Sequence, residues 1–394
     1  MTRSTYVLSA VRTPIGKLNG AYASTPAVAL GAVVIAEAIQ RAGIDAQQID
    51  EVLMGNVLQA GEGQAPARQA AIRGGVPAHV GATTVNKVCG SALKAMMQGA
   101  QAIALGDANL LVVGGMENMS MAPYLLPGAR QGLRLGNSQL LDAVIHDGLW
   151  DSFEDWHMGS AAEFIAQQFE ITREEQDEFA LRSHRRALAA SATGKFLAEV
   201  APVSAPQRKG PPLAVTKDET PRSDTSLAAL AKLSPIFDPN GTVTAGNAPG
   251  ITDGAAAVVL ASEDALDQTS IEPMARITGY AQAALEPKWL FAAPVHAIRK
   301  LLQKTQTTLN NYDLIEVNEA YAAQVLANGH ELDWDWDRVN VNGGAIALGH
   351  PLGATGARIV VTLLHALKDR GGKRGLACLC LGGGEAVAMS VEMM

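Results

Sequence analysis

Cysteine and aromatic residues are both scarce in this chain. Its 394 residues include only three cysteines, Cys89, Cys378 and Cys380. Such an odd, sparse set excludes a disulfide framework and fits a reducing compartment, in which free thiols persist. Aromatic residues make up 5% of the chain, whereas glycine is abundant and 48% of residues are hydrophobic. This composition favours helices packed closely on a sheet over a β-sandwich.

The chain also lacks an excess of positive charge and any long apolar run. Its formal net charge is −8. This excludes the overall positive charge that is typical of proteins that bind nucleic acids or anionic membranes. No stretch reaches the ~18 uninterrupted apolar residues of a membrane-spanning helix, and neither terminus carries a recognised targeting signal. We therefore expect a soluble, cytoplasmic protein without nucleic-acid or membrane partners.

The first part of the chain alternates between strand and helix patterns. β-Rich runs occur at 6–11 and 51–57, and residues 27–42 have helical apolar spacing. A helix is predicted after Cys89, where apolar residues recur three or four positions apart, and an apolar strand follows at 110–113. This rhythm predicts an α/β protein with a buried, largely parallel sheet.

The middle of the chain interrupts this pattern with turns, charges and a helix that begins with Thr172 and Glu175, a capping-box pair. The alternation then returns, and the last third repeats the earlier order of loop, reactive residue, helix, strand and glycine turn. We predict two duplicated α/β halves around an inserted helix and loop domain. The bounds are 1–118 with 250–270 for the first half, 119–249 for the insertion and 271–394 for the second half.

Cys89 lies at a junction between a strand and the helix that follows it. The amides and the dipole at a helix N-terminus stabilise an anion, so a thiolate is favoured there. Gly90 and Ser91 leave room for a substrate to approach. A buried cysteine packed as a small hydrophobic residue explains the same local pattern, and at this point both interpretations stay open.

His350 lies in a glycine-rich segment, with Pro351 directly after it and a helix predicted beyond. A histidine held in such a turn is a candidate base, and a structural histidine is the alternative. The glycine density also suggests a phosphate loop. Neither G-x-x-x-x-G-K-[ST] nor a correctly placed G-x-G-x-x-G is present, which disfavours nucleotide hydrolysis.

Cys380 closes an apolar strand and meets a run of three glycines. The free amides of Gly382 and Gly383 can bind an oxyanion, while Cys378 is predicted to be a core residue. Zinc binding by the two cysteines and His350 is a weak alternative, because C-x-C alone is poor support for a metal site. We therefore predict no metal.

Asn318 and Glu319 follow another apolar strand, at the start of an alanine-rich helix. Capping of that helix explains both residues. The functional alternative makes Asn318 a holder of water or an oxyanion donor, with Glu319 fixing neighbouring groups.

Seven segments of the chain together resemble the thiolase family closely. They occur in the family's order, and the resemblance spans Ser9 to about Val391, which is nearly the whole chain. The segments are VCGSALKA, GGMENMS, HMGSAAE, GNAPGITDGAAAVVL, NEAYAAQ, NGGAIALGHPLGATGAR and CLGGGEA. The resemblance implies a five-layered thiolase fold, a dimer or tetramer, and coenzyme A thioesters as substrates without a tightly bound cofactor. It implies reversible thiolytic cleavage and Claisen condensation, with two acetyl-CoA giving acetoacetyl-CoA and free coenzyme A.

The resemblance also implies a role for each motif residue. Cys89 takes the acyl group, His350 activates Cys89 as a base, and Cys380 moves the proton at the α-carbon of the second acyl-CoA. The backbone amides of Cys89 and Gly382 form one oxyanion hole. His350, with a water held by Asn318, forms the other.

A further set of residues is implied for coenzyme A. His157 and Met158 belong to an HMG stretch that looks like that of acetoacetyl-CoA-forming thiolases and lines the pantetheine channel, although His157 as a simple cap is the alternative. Ala248 and Pro249 fall at another pantetheine contact, where the family often has serine in place of Pro249. Arg222 meets the nucleotide end of coenzyme A. The same turn-rich region carries three more cations, Arg208, Lys209 and Lys217.

Three other functions have to be weighed against this one. Tyr321 and Leu290 replace a more usual phenylalanine and methionine near the acyl pocket, which leaves open a thiolase for longer or degradative 3-ketoacyl-CoAs. A decarboxylating ketosynthase is disfavoured, because Asn318 stands where such enzymes have a second histidine. A silent acyl-CoA or lipid-binding protein is disfavoured by the intact catalytic set.

Overall fold

The computed structural model describes residues 3–207, 209–267 and 272–394, in which strands and helices alternate. The strands are β1 (Thr5–Arg12), β2 (Gly16–Lys17), β3 (Glu51–Gly55), β4 (Gly81–Val85), β5 (Leu110–Asn118), β6 (Tyr124–Leu125), β7 (Leu141–Asp142), β8 (Trp150–Asp151), β9 (Trp156–His157), β10 (Val203–Ala205), β11 (Leu213–Val215), β12 (Thr252–Ser262), β13 (Ala275–Ala284), β14 (Leu314–Val317), β15 (Arg374–Leu381) and β16 (Glu385–Met393). The α-helices are α1 (Ala27–Ala42), α2 (Pro66–Arg73), α3 (Ser91–Leu105), α4 (Met158–Gln168), α5 (Arg173–Ala192), α6 (Leu227–Leu230), α7 (Glu263–Asp267), α8 (Ala293–Thr305), α9 (Ala322–Leu332), α10 (Ala345–Leu348) and α11 (Thr355–Arg370).

The ends of two helices follow signals in the local sequence. α3 stops at Gly106, whose φ of 86° lies in the left-handed region that glycine adopts without steric cost. α5 begins after Thr172, whose hydroxyl accepts a hydrogen bond from the backbone N–H of Glu175. The Glu175 carboxylate accepts one in return from the backbone N–H of Thr172. The predicted capping box is therefore present.

The prediction of a largely parallel sheet is wrong, although part of it holds. β3 pairs in parallel with β4 and β5, as the alternation predicts, and β14 pairs in parallel with β15. The other neighbours in the order β14-β15-β16-β13-β1-β12-β5-β3-β4 are antiparallel. The difference arises because β12 enters beside β5 from a distant part of the chain, and a local pattern does not reveal such a partner.

The two halves of the sheet have the same strand order. The first half runs β4-β3-β5-β12-β1. The second half starts at Val339, which bridges Ile315 in parallel, and continues β14-β15-β16-β13. Corresponding pairs have the same direction in both halves, so the predicted duplication is confirmed. The domain bounds given above stay a prediction.

Five layers result from the way the helices cover this sheet. α1 and α2 pack on the first half, α3 and α11 lie between the halves, and α8 and α9 pack with the second half. Leu93 of α3 and Leu363 of α11 share one buried core with Val113 and Val387 from the two halves of the sheet. Helices α4 and α5 of the insertion pack against α9. Burial of these apolar faces brings together the segments that precede α3 and α11.

Two glycines of the first half receive the backbone of the second half. Gly55 of β3 and Gly115 of β5 lie opposite each other, and a Cβ atom at either position would overlap the carbonyl oxygen of Gly353. We call this pair the glycine notch. Because Gly353 lies three residues after His350, the notch fixes where the segment carrying His350 meets the first half.

Gly115→Ala is expected to destabilise the protein. The new methyl group would overlap the Gly353 carbonyl, so one backbone must shift, and such overpacking costs about 1–3 kcal/mol or more. Gly81→Ala is the matched control, because Gly81 also lies in a strand but has open space where its Cβ would be. Urea unfolding of both variants measures the difference, and equal unfolding free energies would contradict the steric role of the notch.

Candidate active site

A cavity of about 340 Å³ collects residues from both halves and from the insertion. Nearly all the predicted site residues line it, namely Cys89, His157, Met158, Arg222, Ala248, Pro249, His350, Cys380 and Gly382. The remaining one, Asn318, contacts His350 from behind. The same cavity is also lined by one aliphatic and two aromatic side chains, those of Leu290, Phe291 and Tyr321. An apolar pocket with a few convergent polar groups is the usual form of a small-molecule site.

Cys89 is presented by a tight turn between β4 and α3. Val88 has a φ of 47°, a left-handed conformation that is unusual for a β-branched residue. The Ser91 hydroxyl closes the turn, because it accepts from the backbone N–H of Lys87 at 2.8 Å and donates to the carbonyl of Val88 at 2.6 Å. A side chain at Gly90 would overlap Leu381. The turn therefore depends on both the serine and the glycine that follow the cysteine.

The environment of the Cys89 thiol differs from the predicted one. Burial raises its pKa to about 12, and the charge of Glu117 adds to this. Hydrogen bonding by the backbone N–H groups of Cys89 and Gly382 acts in the opposite direction. The backbone amides of the turn therefore favour the thiolate as predicted, but desolvation outweighs them and the net pKa of the free thiol is raised. The thiol is protonated at neutral pH and needs a base to become nucleophilic.

His350 is held in a single tautomer and kept neutral. Its backbone N–H donates to the hydroxyl of Thr252 at 2.8 Å. Its Nδ1 lies 2.7 Å from the hydroxyl of Thr355, which itself donates to the carbonyl of Pro351. Since that hydroxyl proton is already used, Nδ1 donates and Nε2 carries the lone pair. Burial, with the charge of Arg358, lowers the pKa of His350 to about 3, so the imidazole is neutral at neutral pH and the lone pair of Nε2 is unprotonated.

Asn318 is placed behind His350 and has spare hydrogen-bonding capacity. Its Nδ2 lies 3.4 Å from Nε2 of His350. Its Oδ1 is buried and accepts no hydrogen bond from any described residue, a situation that an ordered water commonly resolves. The capping interpretation of Asn318 and Glu319 is wrong, because α9 begins after Tyr321 without a side-chain cap.

The two neighbouring cysteines of β15 have different surroundings. Cys380 lines the cavity, whereas Cys378 lies in the core with its sulfur 3.9 Å from the carbonyl of Pro294, as predicted for a core residue. Burial raises the pKa of Cys380 well above its usual range, and the neighbouring Cys89 adds to this shift. After Gly382 the chain turns through Gly383 and Gly384, whose φ values are 83° and 85°. This turn brings the amide of Gly382 to Cys89.

His157 both caps a helix and lines the cavity. Its Nδ1 accepts from the backbone N–H of Gly159 at 2.9 Å, which caps α4. Its ring stacks on Phe237 with 4.7 Å between centroids. The capping interpretation of His157 is therefore confirmed, while its contact with pantetheine stays a prediction. Met158 follows it as the first residue of α4.

The predicted cations of the insertion differ in position. Arg222 is exposed and lines the cavity, and its backbone N–H donates to Nδ1 of His184 at 3.2 Å. Lys209 and Lys217 are exposed and do not line the cavity. Arg208 lies outside the described residues. Of the cations in this region that the structure describes, Arg222 is the one that lines the cavity.

Three supporting residues were missed by sequence reasoning. Thr252 and Thr355 hold His350, and Glu117 accepts four hydrogen bonds beside Cys89. The role of Glu117 could have been predicted from its place near the end of the fully buried strand β5, because a buried carboxylate needs hydrogen-bond donors. The sequence around the two threonines does not predict their contacts with His350, since Thr252 is distant from His350 in sequence and Thr355 lies across a turn from it.

Among the described residues, no group of three or more His, Cys, Asp and Glu side chains is arranged to hold a metal ion. Within the same ranges, no helix combines the length and the apolarity needed to cross a bilayer.

Alkylation of Cys89 by iodoacetamide is expected to accelerate about tenfold per pH unit between pH 7 and 9. The reagent consumes thiolate, and a thiol with a pKa of about 12 gains thiolate throughout this range. Peptide mass spectrometry at Cys89 follows the reaction. Free cysteine, with a pKa near 8.5, is the control whose rate levels off. A plateau for Cys89 at pH 7–8 would mean that His350 and Cys89 rest as an ion pair.

Comparisons with known proteins agree with this geometry. The family description "Thiolase, N-terminal domain" matches residues 5–264, and "Thiolase, C-terminal domain" matches residues 271–393. An acetyl-CoA acetyltransferase of Pseudomonas aeruginosa is 54% identical over 98% of both chains, and one of Escherichia coli strain K12 is 53% identical with the same coverage. The crystal structure of the Bacillus anthracis acetyl-CoA acetyltransferase superposes with a TM-score of 0.98 at 43% identity, over 100% of this chain and 99% of that one. This chain belongs to the thiolase family.

Proposed function

We propose that the protein is an acyltransferase that catalyses the reversible thiolytic cleavage of 3-ketoacyl-CoA and the reverse Claisen condensation. Its main reaction converts two acetyl-CoA into acetoacetyl-CoA and free coenzyme A. The observation that carries the proposal is the convergence of Cys89, His350, Cys380 and the Gly382 amide on one cavity. The relatives named acetyl-CoA acetyltransferase support the choice of substrate.

The first half-reaction transfers an acetyl group to Cys89. His350 takes the thiol proton at Nε2, and the sulfur attacks the thioester carbonyl. The backbone amides of Cys89 and Gly382 stabilise the oxyanion, a type of contact that contributes about 2.7–4 kcal/mol per donor. The leaving coenzyme A sulfur takes the proton from His350. One thioester replaces another, so the step is nearly balanced.

The second half-reaction makes a carbanion and uses Cys380. Neutral His350 takes the Cys380 proton, and the resulting thiolate removes the α-proton of a second acetyl-CoA. The enolate oxygen is stabilised by His350 and by a water bound to Oδ1 of Asn318, which has no partner among the described residues. The enolate then attacks the acetyl group, and the sulfur of Cys89 leaves and recovers a proton from His350.

Coenzyme A thioesters bind as substrates, without a tightly held cofactor, and the insertion at 119–249 supplies most of the contacts. His157, Met158, Ala248 and Pro249 hold the pantetheine arm, and their place on the cavity wall supports this role. The halves at 1–118 with 250–270 and at 271–394 supply the catalytic groups.

The protein works as a homodimer or homotetramer in the cytoplasm. Three leucines within one stretch of the insertion, Leu133, Leu135 and Leu140, are exposed, and burial of such side chains in a subunit contact supports this proposal. Three free cysteines suit a reducing compartment.

A series of kcat/KM values tests the activity and the chain length together. We expect efficient thiolysis of acetoacetyl-CoA and at least about tenfold lower kcat/KM for 3-ketohexanoyl-CoA and longer substrates, since in our proposal Leu290 and Phe291, which line the cavity, limit the space for a longer acyl chain. Higher efficiency on the longer substrates would favour the degradative alternative. Absence of thiolysis on every member, with no acetyl group trapped on Cys89, would contradict the proposed activity.

Arg222→Ala is expected to raise KM for acetyl-CoA several-fold and to change kcat little. Coenzyme A is an anion, and Arg222 meets it away from the reacting atoms, so its contribution is the same in the ground state and the transition state. Lys217→Ala is the matched control, because Lys217 is an exposed cation of the same region that does not line the cavity. An equal KM for both variants at low salt would exclude Arg222 from binding.

A further inference from the structure

The segment that carries His350 is bound from two sides by buried carboxylates. Gly353, three residues after His350, donates its backbone N–H to the carboxylate of Glu117 at 2.8 Å. Ile346, four residues before His350, donates its backbone N–H to the carboxylate of Glu319 at 3.0 Å. Glu117 is 0% exposed and Glu319 is 1% exposed. The two carboxylates come from different halves of the chain: Glu117 lies in β5, and Glu319 lies two residues after the end of β14.

The Glu117 carboxylate ties this segment to the first half. One of its oxygens accepts the N–H groups of Gly353 and Val57, at 2.8 and 3.0 Å. The other accepts the N–H of Leu58 and the side-chain amide of Asn56, both at 3.1 Å. Every lone pair has a donor, so the carboxylate joins the loop after β3 to the loop after His350. The glycine notch lies directly beside this junction.

The Glu319 carboxylate ties the segment to the insertion. One oxygen accepts the N–H of Ile346 and the hydroxyl of Ser183, the latter at 2.7 Å. The same hydroxyl accepts the N–H of Gly344 at 3.0 Å. The second oxygen accepts the side-chain amide of Asn340 at 2.9 Å. Glu319 directly follows Asn318, so one short stretch holds both the partner of His350 and the backbone before it.

Burying two carboxylates is costly, and the four hydrogen bonds to Glu117 and the three to Glu319 offset that cost. Burial raises the pKa of Glu117 to about 7 and also raises the pKa of Glu319, while the donated hydrogen bonds lower both. Neither group lines the cavity, so neither meets substrate. Their shared target is the backbone on either side of the catalytic base.

We infer that Glu117 and Glu319 are positioning residues that clamp the His350 segment and thereby fix the imidazole relative to Cys89. Glutamine cannot replace either group. Each oxygen of Glu117 faces two donors, so an NH2 group would meet donors in both orientations. At Glu319 the two oxygens face Asn340 and Ile346, and the amide of Asn340 cannot rotate because its Oδ1 already accepts from Val317.

The test measures turnover per working site, and it rests on the proposed thiolase activity. Prolonged incubation with labelled acetyl-CoA counts the sites that can be acetylated, and thiolysis of acetoacetyl-CoA then gives kcat per counted site. We expect Glu117→Gln and Glu319→Gln each to lower this kcat about 100-fold, with KM within twofold, because a misplacement of about 1 Å can cost that much. Asp313→Asn is the matched control, since Asp313 also accepts two backbone N–H groups, but at the far end of β15. It should change kcat per site less than threefold.

A purely structural role predicts a different result. The number of countable sites would fall while kcat per site stayed within threefold, and that outcome would overturn the inference. If the glutamine variants do not fold, Ser183→Ala is measured in their place. This variant removes only the hydroxyl that links Glu319 to Gly344. It should lower kcat per site about tenfold, and a change below twofold would exclude the Glu319 side of the clamp. Failure of the unmodified protein to acetylate or turn over would instead contradict the proposed function.

Discussion

Cys89→Ala is expected to lower thiolysis of acetoacetyl-CoA on the order of 10⁴-fold or more, because the acyl-enzyme cannot form without its nucleophile. Coenzyme A binding should persist, since the pantetheine and nucleotide contacts come from other residues. The measurements are loss of acetoacetyl-CoA, calorimetric binding of coenzyme A, and peptide mass spectrometry after brief exposure of the unmodified protein to acetyl-CoA.

The matched control for this variant is Cys378→Ala. Cys378 is a cysteine of the same protein that is buried away from the cavity. Its removal should change kcat only a few-fold. An acetyl group found on Cys380 with Cys89 unmodified would reverse the assignment of the nucleophile.

Cys380→Ser should separate the two half-reactions. Condensation and thiolysis both pass through the enolate and need a proton moved at the α-carbon, and a serine hydroxyl is far less acidic than a thiol. We expect both to fall at least about 1,000-fold, while acetyl transfer from acetyl-CoA to Cys89 stays within tenfold, because that step makes no carbanion. Acetyl-enzyme formation and acetoacetyl-CoA loss are measured in one preparation. Near-normal thiolysis would mean that His350 serves both steps.

Local order in the fold could be predicted well from the sequence. The helix at 27–42 and the capping box at Thr172 follow from apolar spacing and end signals, which act over a few residues. The direction of the strands was only partly predictable. Residues Asp253–Ala261 of β12 pair with β5 across more than a hundred residues of intervening chain, and no local pattern specifies a partner at that distance.

The reactive residues of the site were predictable, but their electrostatics were not. Cys89, His350 and Cys380 stand in recognisable segments, and the structure brings them to one cavity. Burial raises the pKa of Cys89, whereas the local sequence predicted a stabilised thiolate. The burial results from packing between the two halves, which a local sequence pattern does not reveal. The roles of Glu117 and Thr355 depend on which backbone groups lie nearby once the chain has folded.

The position of β12 between β5 and β1 has a consequence for synthesis on the ribosome. β5 is complete at Asn118, yet its partner begins at Thr252. At 5–20 residues per second, the wait lasts roughly 7–27 s. During that time the apolar edge of β5 is unpaired, and such edges associate with other chains. We expect the yield of folded protein at high expression to follow chaperone supply and translation speed more closely than the stability of the finished molecule.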